Sequence, residues 1–489
     1  MFDARLGYDP ASPDSIEHFA EGLKDKTFYE VISENSSITS EDIESYANKL
    51  RKGGLGNLLE EGYFGYKANS KQESDFPEAG VELKATPFEY TKKGQLRAGE
   101  RLVITMINYD GPIEDDFFHS HAWDKMHLIL LVYYWRNKTL KRNLDYKIKY
   151  VQMFTPPEQD LTIIKKDYEN IVKKIQDGKA HELSEGDTMY LGACTKGSTA
   201  KKSIVPQFYG DKLPAKKRAF CLKNSYMTYV LNHYIAGKET NDSIVKNVEE
   251  LKKKSFSDIL KEIVNKYIGM SDKELCKIFH REYNGNKAQW NDLAFKILGV
   301  RNEHADEFEK ANIRVKTIRI NENNSIRENM SFSTFKFMDI ANEEFDDSDL
   351  YEYFDQTQLF FFVWVQDGDL YRVKGCQLWN MPHDDLEHTV RKEWEDVKRV
   401  INEGVKFTKC INSNGEIKFK NNFPNKKQTQ IIHIRPHAQK AAYRFKNGEE
   451  YGNVERDAYE LPNGEYMTKM SFWLNNDYVL KQLDCIDQK

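Results

Sequence analysis

Cysteine, long apolar runs and surplus positive charge are all scarce in this 489-residue chain, and each scarcity removes a class of protein. The six cysteines, at 194, 221, 276, 376, 410 and 485, are scattered without a CxxC pair, a pattern that predicts reduced thiols and neither a disulfide frame nor a cysteine zinc site. His119, His121 and His127 lie close together, but no cysteine or acid accompanies them at metal spacing, so no zinc is expected there. No apolar run reaches the roughly 18 residues of a membrane span. The opening MFDARLGYDPASPDS has no basic segment followed by an apolar one, so neither a secretory leader nor a membrane is expected and the reading is cytoplasmic. A net charge of −5 argues against a globally basic nucleic-acid binder. A local basic face is another matter. Residues 191–223 carry Lys196, Lys201, Lys202, Lys212, Lys216, Lys217, Arg218 and Lys223 against one acid, Asp211, and such concentration suits phosphate neutralisation.

What is present is written twice. TFYEVI (27–32) resembles SFSDIL (255–260), and GGLGNLLEEGYFG, ending at Gly65, resembles NKAQWNDLAFKILG, ending at Gly299. GVELKAT resembles NIRVKTI, aligning Lys84 with Lys316. DYENIVKKIQDG (167–178) matches EWEDVKRVINEG (393–404), and FCLKNSY (220–226) matches FWLNNDY (472–478), both without a gap. Conserved order with drifting spacing predicts tandem duplication of a domain of about 230 residues, with the boundary near the polar stretch GKETNDS and domains at 1–238 and 239–489. Within the first copy, Asp14 is expected to start the helix SIEHFAEGL. ERLVITMIN, LILLVYYW and KYVQMF read as strands, the continuously apolar middle one being central. IIKKDYENIVKKIQDG reads as an amphipathic helix ended by Gly178. FFFVWVQ (360–366) is expected to be a buried strand of the second copy. The fold class is α/β, with two tandem domains that each hold a mixed sheet flanked by helices.

The stretch DFPEAGVELKATP concentrates chemistry. Period-2 alternation makes VELKAT a strand with Glu82 and Lys84 on one face. Asp75 lies just upstream on a turn, Glu60 and Glu61 on the preceding helix, and Lys125 in HSHAWDKM. Clustered carboxylates repel one another, so a hard divalent cation is their natural occupant, and oxygen donors favour magnesium. The Leu83 backbone carbonyl is a further possible ligand, and Lys84 would orient or deprotonate an attacking water. Metal-assisted phosphodiester hydrolysis is the expected reaction.

SKQESDFPEAGVELKATP, with GNLLE upstream and HSHAWDK downstream, resembles the core of MutH-type endonucleases in the PD-(D/E)xK superfamily. The resemblance extends through YLGACTKG and RAFCLKNSYMT, and the duplicated length is similar to tandem MutH-like type II restriction endonucleases that cut GATC. It implies Asp75 and Glu82 as magnesium ligands, Lys84 as the catalytic lysine and Lys125 as support for phosphate or water. The helical acid is Glu60 by the LLE context and Glu61 by counting back from Gly65. DNA contacts are implied at Lys196, Lys201, Lys202, Arg218 and Lys223, although Cys194 and Thr195 replace an Arg-Pro pair of the family. The second copy departs further: Ala294 and Phe295 replace the helical acids, Arg314 replaces Glu82, and Glu307 stands where Asp75 does. It should bind DNA without cutting, since HIRPHAQ keeps Arg435 and Pro436, with His437 opposite Lys196. The resulting expectation is a magnesium-dependent type II enzyme that leaves 5'-phosphate ends on double-stranded DNA. Its second copy acts as an allosteric effector, its resting form is a monomer or a transient dimer on DNA, and it pairs with a cognate DNA methyltransferase. The alternatives are a non-catalytic DNA-binding regulator and a nicking mismatch-repair endonuclease.

Overall fold

Local sequence decides where the first helices begin. In the computed structural model, which describes residues 7–34, 54–66, 73–196, 203–411 and 417–484, helix α1 (Pro13–Ala20) is capped by Ser12, whose side chain accepts the Ser15 N–H. The expected start at Asp14 is displaced because Pro13 takes the first helical position, where a missing N–H costs nothing. The repeated TFYEVI and SFSDIL segments both open helices with a full capping box, Thr27 with Glu30 and Ser255 with Asp258.

Helix α2 (Gly54–Gly62) packs Leu58 and Leu59, both fully buried, into the core under the first sheet. That sheet joins β1 (Glu82–Tyr90), β2 (Leu96–Ala98), β4 (Ile129–Trp135) and β5 (Lys147–Phe154) in the order β2-β1-β4-β5. β4 is central, parallel to β1 and antiparallel to β5, and Ile129 through Tyr133 are wholly buried. Its unbroken apolar run follows from burial on both faces.

A second sheet of β3 (Leu102–Met106), β6 (Leu191–Thr195) and β7 (Arg218–Leu222) runs in the order β3-β7-β6, all antiparallel. Helix α3 (Glu158–Gln176) precedes β6 and ends just before Gly178. A Cβ on Gly178 would lie 2.7 Å from the Gly210 Cα, and Gly178 has φ +74°, so the close approach and the left-handed turn both require glycine.

The second repeat also holds a pair of sheets, the first of them with three strands rather than four. After helix α4 (Asp306–Ala311), β8 (Ile313–Ile320), β10 (Gln358–Asp367) and β11 (Leu370–Trp379) form a sheet in the order β8-β10-β11. β9 (Met330–Phe335), β12 (Ile432–Pro436) and β13 (Met470–Leu474) form another, ordered β9-β13-β12. Helix α5 (Arg391–Glu403) occupies the place of α3. Phe360 through Trp364 on β10 are fully buried, as a central strand demands.

Packing divides the chain into two compact units, residues 1–253 with 304–313, and residues 254–303 with 314–489. The sequence repeat and the packing units therefore have different edges, since α4 belongs to the second repeat and packs with the first unit. Among the described residues no helix is long and apolar enough to cross a membrane.

Candidate active site

The turn before β1 sets the site. Phe76 and Val81 exchange backbone hydrogen bonds, N to O at 2.9 Å and 3.2 Å, and close the DFPEAG loop onto the start of the strand. Gly80 permits the closure with φ +66°, and a Cβ there would lie 3.1 Å from His127 Nε2. The loop brings Asp75 beside the strand, where its Oδ2 accepts the Leu83 N–H at 2.9 Å. Burial and the Glu82 charge push the Asp75 carboxyl up, against the pull of that N–H and of Lys84 and Lys125.

Glu82 is the centre of the cluster and only 2 % exposed. Lys84, two residues along the same face, donates from Nζ to Oε1 at 2.7 Å. Lys125 donates to both Glu82 oxygens at 3.2 Å. Forty-three residues separate Lys125 from Glu82, and β-pairing brings them together. Lys125 caps the short helix His121–Asp124 just before β4, whose Ile129 is in register with Glu82.

Glu60 joins the cluster from α2. Burial, and then the charges of Asp75, Glu82 and Glu61, push its carboxyl up to about 7, while Lys84 pulls the other way. Tyr66, which sequence reasoning did not single out, completes the wall. Its hydroxyl is buried with no hydrogen-bond partner among the described residues, and burial with Asp75 and Glu60 raises its pKa. An aromatic just past the helix Gly is an ordinary core signal, so no residue pattern marked it.

Among the described residues no three acid, imidazole or thiol side chains close into a ready metal cage. The donor set is open, with two ammonium groups lying on one carboxylate. Its chemistry nevertheless fits a hard cation: Glu60, Asp75 and Glu82 are all oxygen donors, and burial, with the charges of neighbouring acids adding to it, pushes the Glu60 and Asp75 carboxyls up.

The expected DNA contacts divide. Lys196 lies half-buried just past β6, its N–H bonded to the Lys217 carbonyl at 2.7 Å. Lys201 and Lys202 lie outside the described residues. Arg218 and Lys223 do not reach the surface, being 1 % and 2 % exposed. The Arg218 guanidinium donates to the Ala193 carbonyl at 2.5 Å, and the Lys223 ammonium donates to the Thr188 carbonyl. They brace the sheet from within, which charge counting could not reveal because every residue of β7 is buried.

In the second repeat, Arg435 and His437 are exposed at and just beyond the end of β12 and share a neighbour: the guanidinium lies 5.0 Å from the Trp473 ring, and the imidazole 5.6 Å from it. His437 Nδ1 is 2.7 Å from Ser471 Oγ. Glu307, the residue aligned with Asp75, accepts from Ser243 Oγ and from the Ile244 and Val245 N–H groups at 2.6–2.9 Å. Lys316 is pulled down by burial and by the like charge of Arg314, with Glu303 acting the other way.

The chain is similar to known proteins. The family model of the DNA mismatch repair enzyme MutH matches residues 64–167, the segment from the end of α2 to mid-α3. The type II restriction enzyme Sau3AI of Staphylococcus aureus is 37% identical over 460 residues, covering 89% of this chain and 93% of that protein. The DNA mismatch repair protein MutH of Vibrio campbellii is 25% identical over 235 residues, 46% of this chain and 96% of its own length. That of Shewanella sp. (strain MR-7) is 28% identical over 189 residues, 38% of this chain and 80% of its own.

Proposed function

We propose, from the premise that this chain belongs to the MutH-like family of type II restriction endonucleases and so cleaves DNA sequence-specifically, that it hydrolyses both strands at GATC with magnesium and leaves 5'-phosphate ends. The observation that carries the chemistry is the convergence of Lys84 and Lys125 on the buried Glu82, beside Asp75. Asp75 and Glu82, with the Leu83 carbonyl, would hold the metal ion, and Glu60, in its LLE context, would be the helical acid, with Glu61 the alternative. When bound, the ion would offset the acids and act as a Lewis acid on the scissile phosphate. Lys84 places its amino group at the edge of the acids; as an ammonium it would donate to the attacking water and orient it, and as a neutral amine it would take the water's proton. Lys125 holds Glu82 in place and offers positive charge to the phosphate. Digestion of a plasmid with and without magnesium, followed by sequencing of the ends, tests reaction, site and cut position together. Glu60→Gln should slow that digestion by roughly 10²-fold or more, and Glu61→Gln by far less; the reverse ranking would move the helical role to Glu61.

In this reading residues 1–238 cut and residues 239–489 bind a second site and act as effector, in an enzyme paired with a cognate DNA methyltransferase. Lys196 would contact a base edge. Lys196→Ala should then cut the preference for GATC over single-base variants by about 1–3 kcal/mol. A uniform loss on every sequence, with a shallower salt dependence, would make it a phosphate contact instead.

One acid site per chain means that cutting a palindrome needs two chains on the DNA or one chain acting twice, and two-fold symmetry favours a transient dimer. Two-site plasmids should therefore be cut about tenfold faster than one-site plasmids, a coupling of about 1.4 kcal/mol. A short duplex carrying the site should stimulate the one-site reaction, and Arg435→Ala should blunt that stimulation. Equal rates on both plasmids, with no response to the duplex, would remove the effector role.

A further inference from the structure

The same lock holds the start of β6 and of β12. In the first repeat the Asp167 carboxylate on α3, 3 % exposed, accepts three successive backbone N–H groups, from Met189 at 2.9 Å, Tyr190 at 2.6 Å and Leu191 at 3.0 Å. Lys223 closes the lock from the end of β7, its ammonium donating to the Thr188 carbonyl and its backbone N–H to the Tyr190 carbonyl at 3.0 Å. In the second repeat Glu393 on α5 accepts from Gln430, from Ile431 at 3.2 Å and from Ile432 at 2.8 Å. Asn475 closes it from the end of β13, with its side-chain amide on the Thr429 carbonyl at 3.2 Å and its backbone N–H on the Ile431 carbonyl at 2.8 Å.

Asp167 with Glu393, and Lys223 with Asn475, are the very positions that the two gap-free sequence repeats align. Burial pushes the Asp167 carboxyl up to about 6 against the pull of Lys223 and the three N–H groups. Glu393 is raised by burial too, with the nearby Asp396 adding to the rise. The lock thus persists across a divergence that exchanged its lysine for asparagine and put Ala294, Phe295 and Arg314 where the first repeat has Glu60, Glu61 and Glu82. A strand whose pairing slips by one residue turns every side chain to the opposite face. Anchoring three consecutive N–H groups at one end fixes which side chains the other end presents. Lys196 lies five residues beyond Leu191, and Arg435 three beyond Ile432.

We propose that Asp167 with Lys223, and Glu393 with Asn475, are positioning residues that fix the register in which β6 presents Lys196, and β12 presents Arg435 and His437, to DNA. The proposal rests on the reading that these strand ends face DNA. In the full-length enzyme, Asp167→Asn keeps one acceptor oxygen and turns an amide N–H2 toward the backbone donors. The expected result is a loss of about tenfold in the kcat/KM ratio between GATC duplexes and single-base variants, carried by KM, with kcat on GATC changed by less than about threefold. A folded Asp167→Asn enzyme, checked by thermal unfolding, that discriminates as well as wild type would overturn the proposal. Glu393→Gln supplies a second measurement should Asp167→Asn fail to fold: it should abolish stimulation of the one-site reaction by added GATC duplex. Stimulation surviving in Glu393→Gln but lost in Arg435→Ala would overturn the lock and leave the DNA-facing reading standing. Stimulation surviving in both would overturn that reading itself, and the lock with it.

Discussion

Glu82→Gln should digest plasmid DNA on the order of 10³-fold more slowly than wild type, or worse, while remaining folded and still binding its site in calcium. The amide has the shape of the carboxylate and can still accept from Lys84 and Lys125, so the loss isolates charge rather than packing. Two lysines converge on this one carboxylate, and removing its charge takes from both ammonium groups their direct ion-pair partner. Lys84→Ala should lose cleavage to a similar degree for a different reason, since Lys125 still holds Glu82 but no ammonium remains to govern the water. Binding should survive in both, because the metal and the water act at the scissile phosphate while other residues are read as the DNA contacts. A Glu82→Gln enzyme that digests at near wild-type rate would remove Glu82 from the chemistry, and with it the assignment of the site.

How much of this was legible beforehand depends on the range of the interaction. Glu82 and Lys84 share a face because strand geometry has a period of two, and their 2.7 Å contact is what VELKAT predicts. The central place of β4 follows from its unbroken apolar run in the same way. Lys125 was noticed for its place just before the apolar run of β4, and the family resemblance gave it a role, but nothing local in HSHAWDK shows that the pairing of β1 with β4 will deliver it to Glu82. Arg218 and Lys223 were misplaced because a count of charges carries no direction, and both point inward to backbone carbonyls. Asp14 lost the helix cap to Ser12 because Pro13 preset the first turn. Glu307 aligned with Asp75 by register, yet its carboxylate ties down residues 243–245. The packing of α4 with the first unit was equally hidden, since DEFEKA looks like any short charged helix and only tertiary structure supplies its partners.

Those partners carry the largest expected effect on stability. Lys310 on α4, 3 % exposed, donates to Asp160 at 2.7 Å and to the Tyr234 hydroxyl at 2.9 Å, and its ammonium lies 4.4 Å from the Tyr229 ring centre. Asp160 also accepts from the hydroxyls of Tyr226 at 3.1 Å and Tyr234 at 2.7 Å. The two charges are therefore unequally insured. Asp160→Ala leaves a buried ammonium with one hydroxyl and a set of aromatic faces, and should cost about 3–5 kcal/mol. Lys310→Met leaves the carboxylate its two phenolic donors and fills most of the vacated volume, so the cost should fall nearer 1–3 kcal/mol. Joining Asp160→Leu to Lys310→Met removes both charges, and the pair should be well below the sum of the single losses, since an apolar replacement of a buried ion pair is often close to neutral. Urea midpoints of the full chain, followed by tyrosine and tryptophan fluorescence, give the comparison. Additive losses, or an Asp160→Ala midpoint within about 0.5 kcal/mol of wild type, would mean that α4 is held by its apolar contacts and that the pair contributes little.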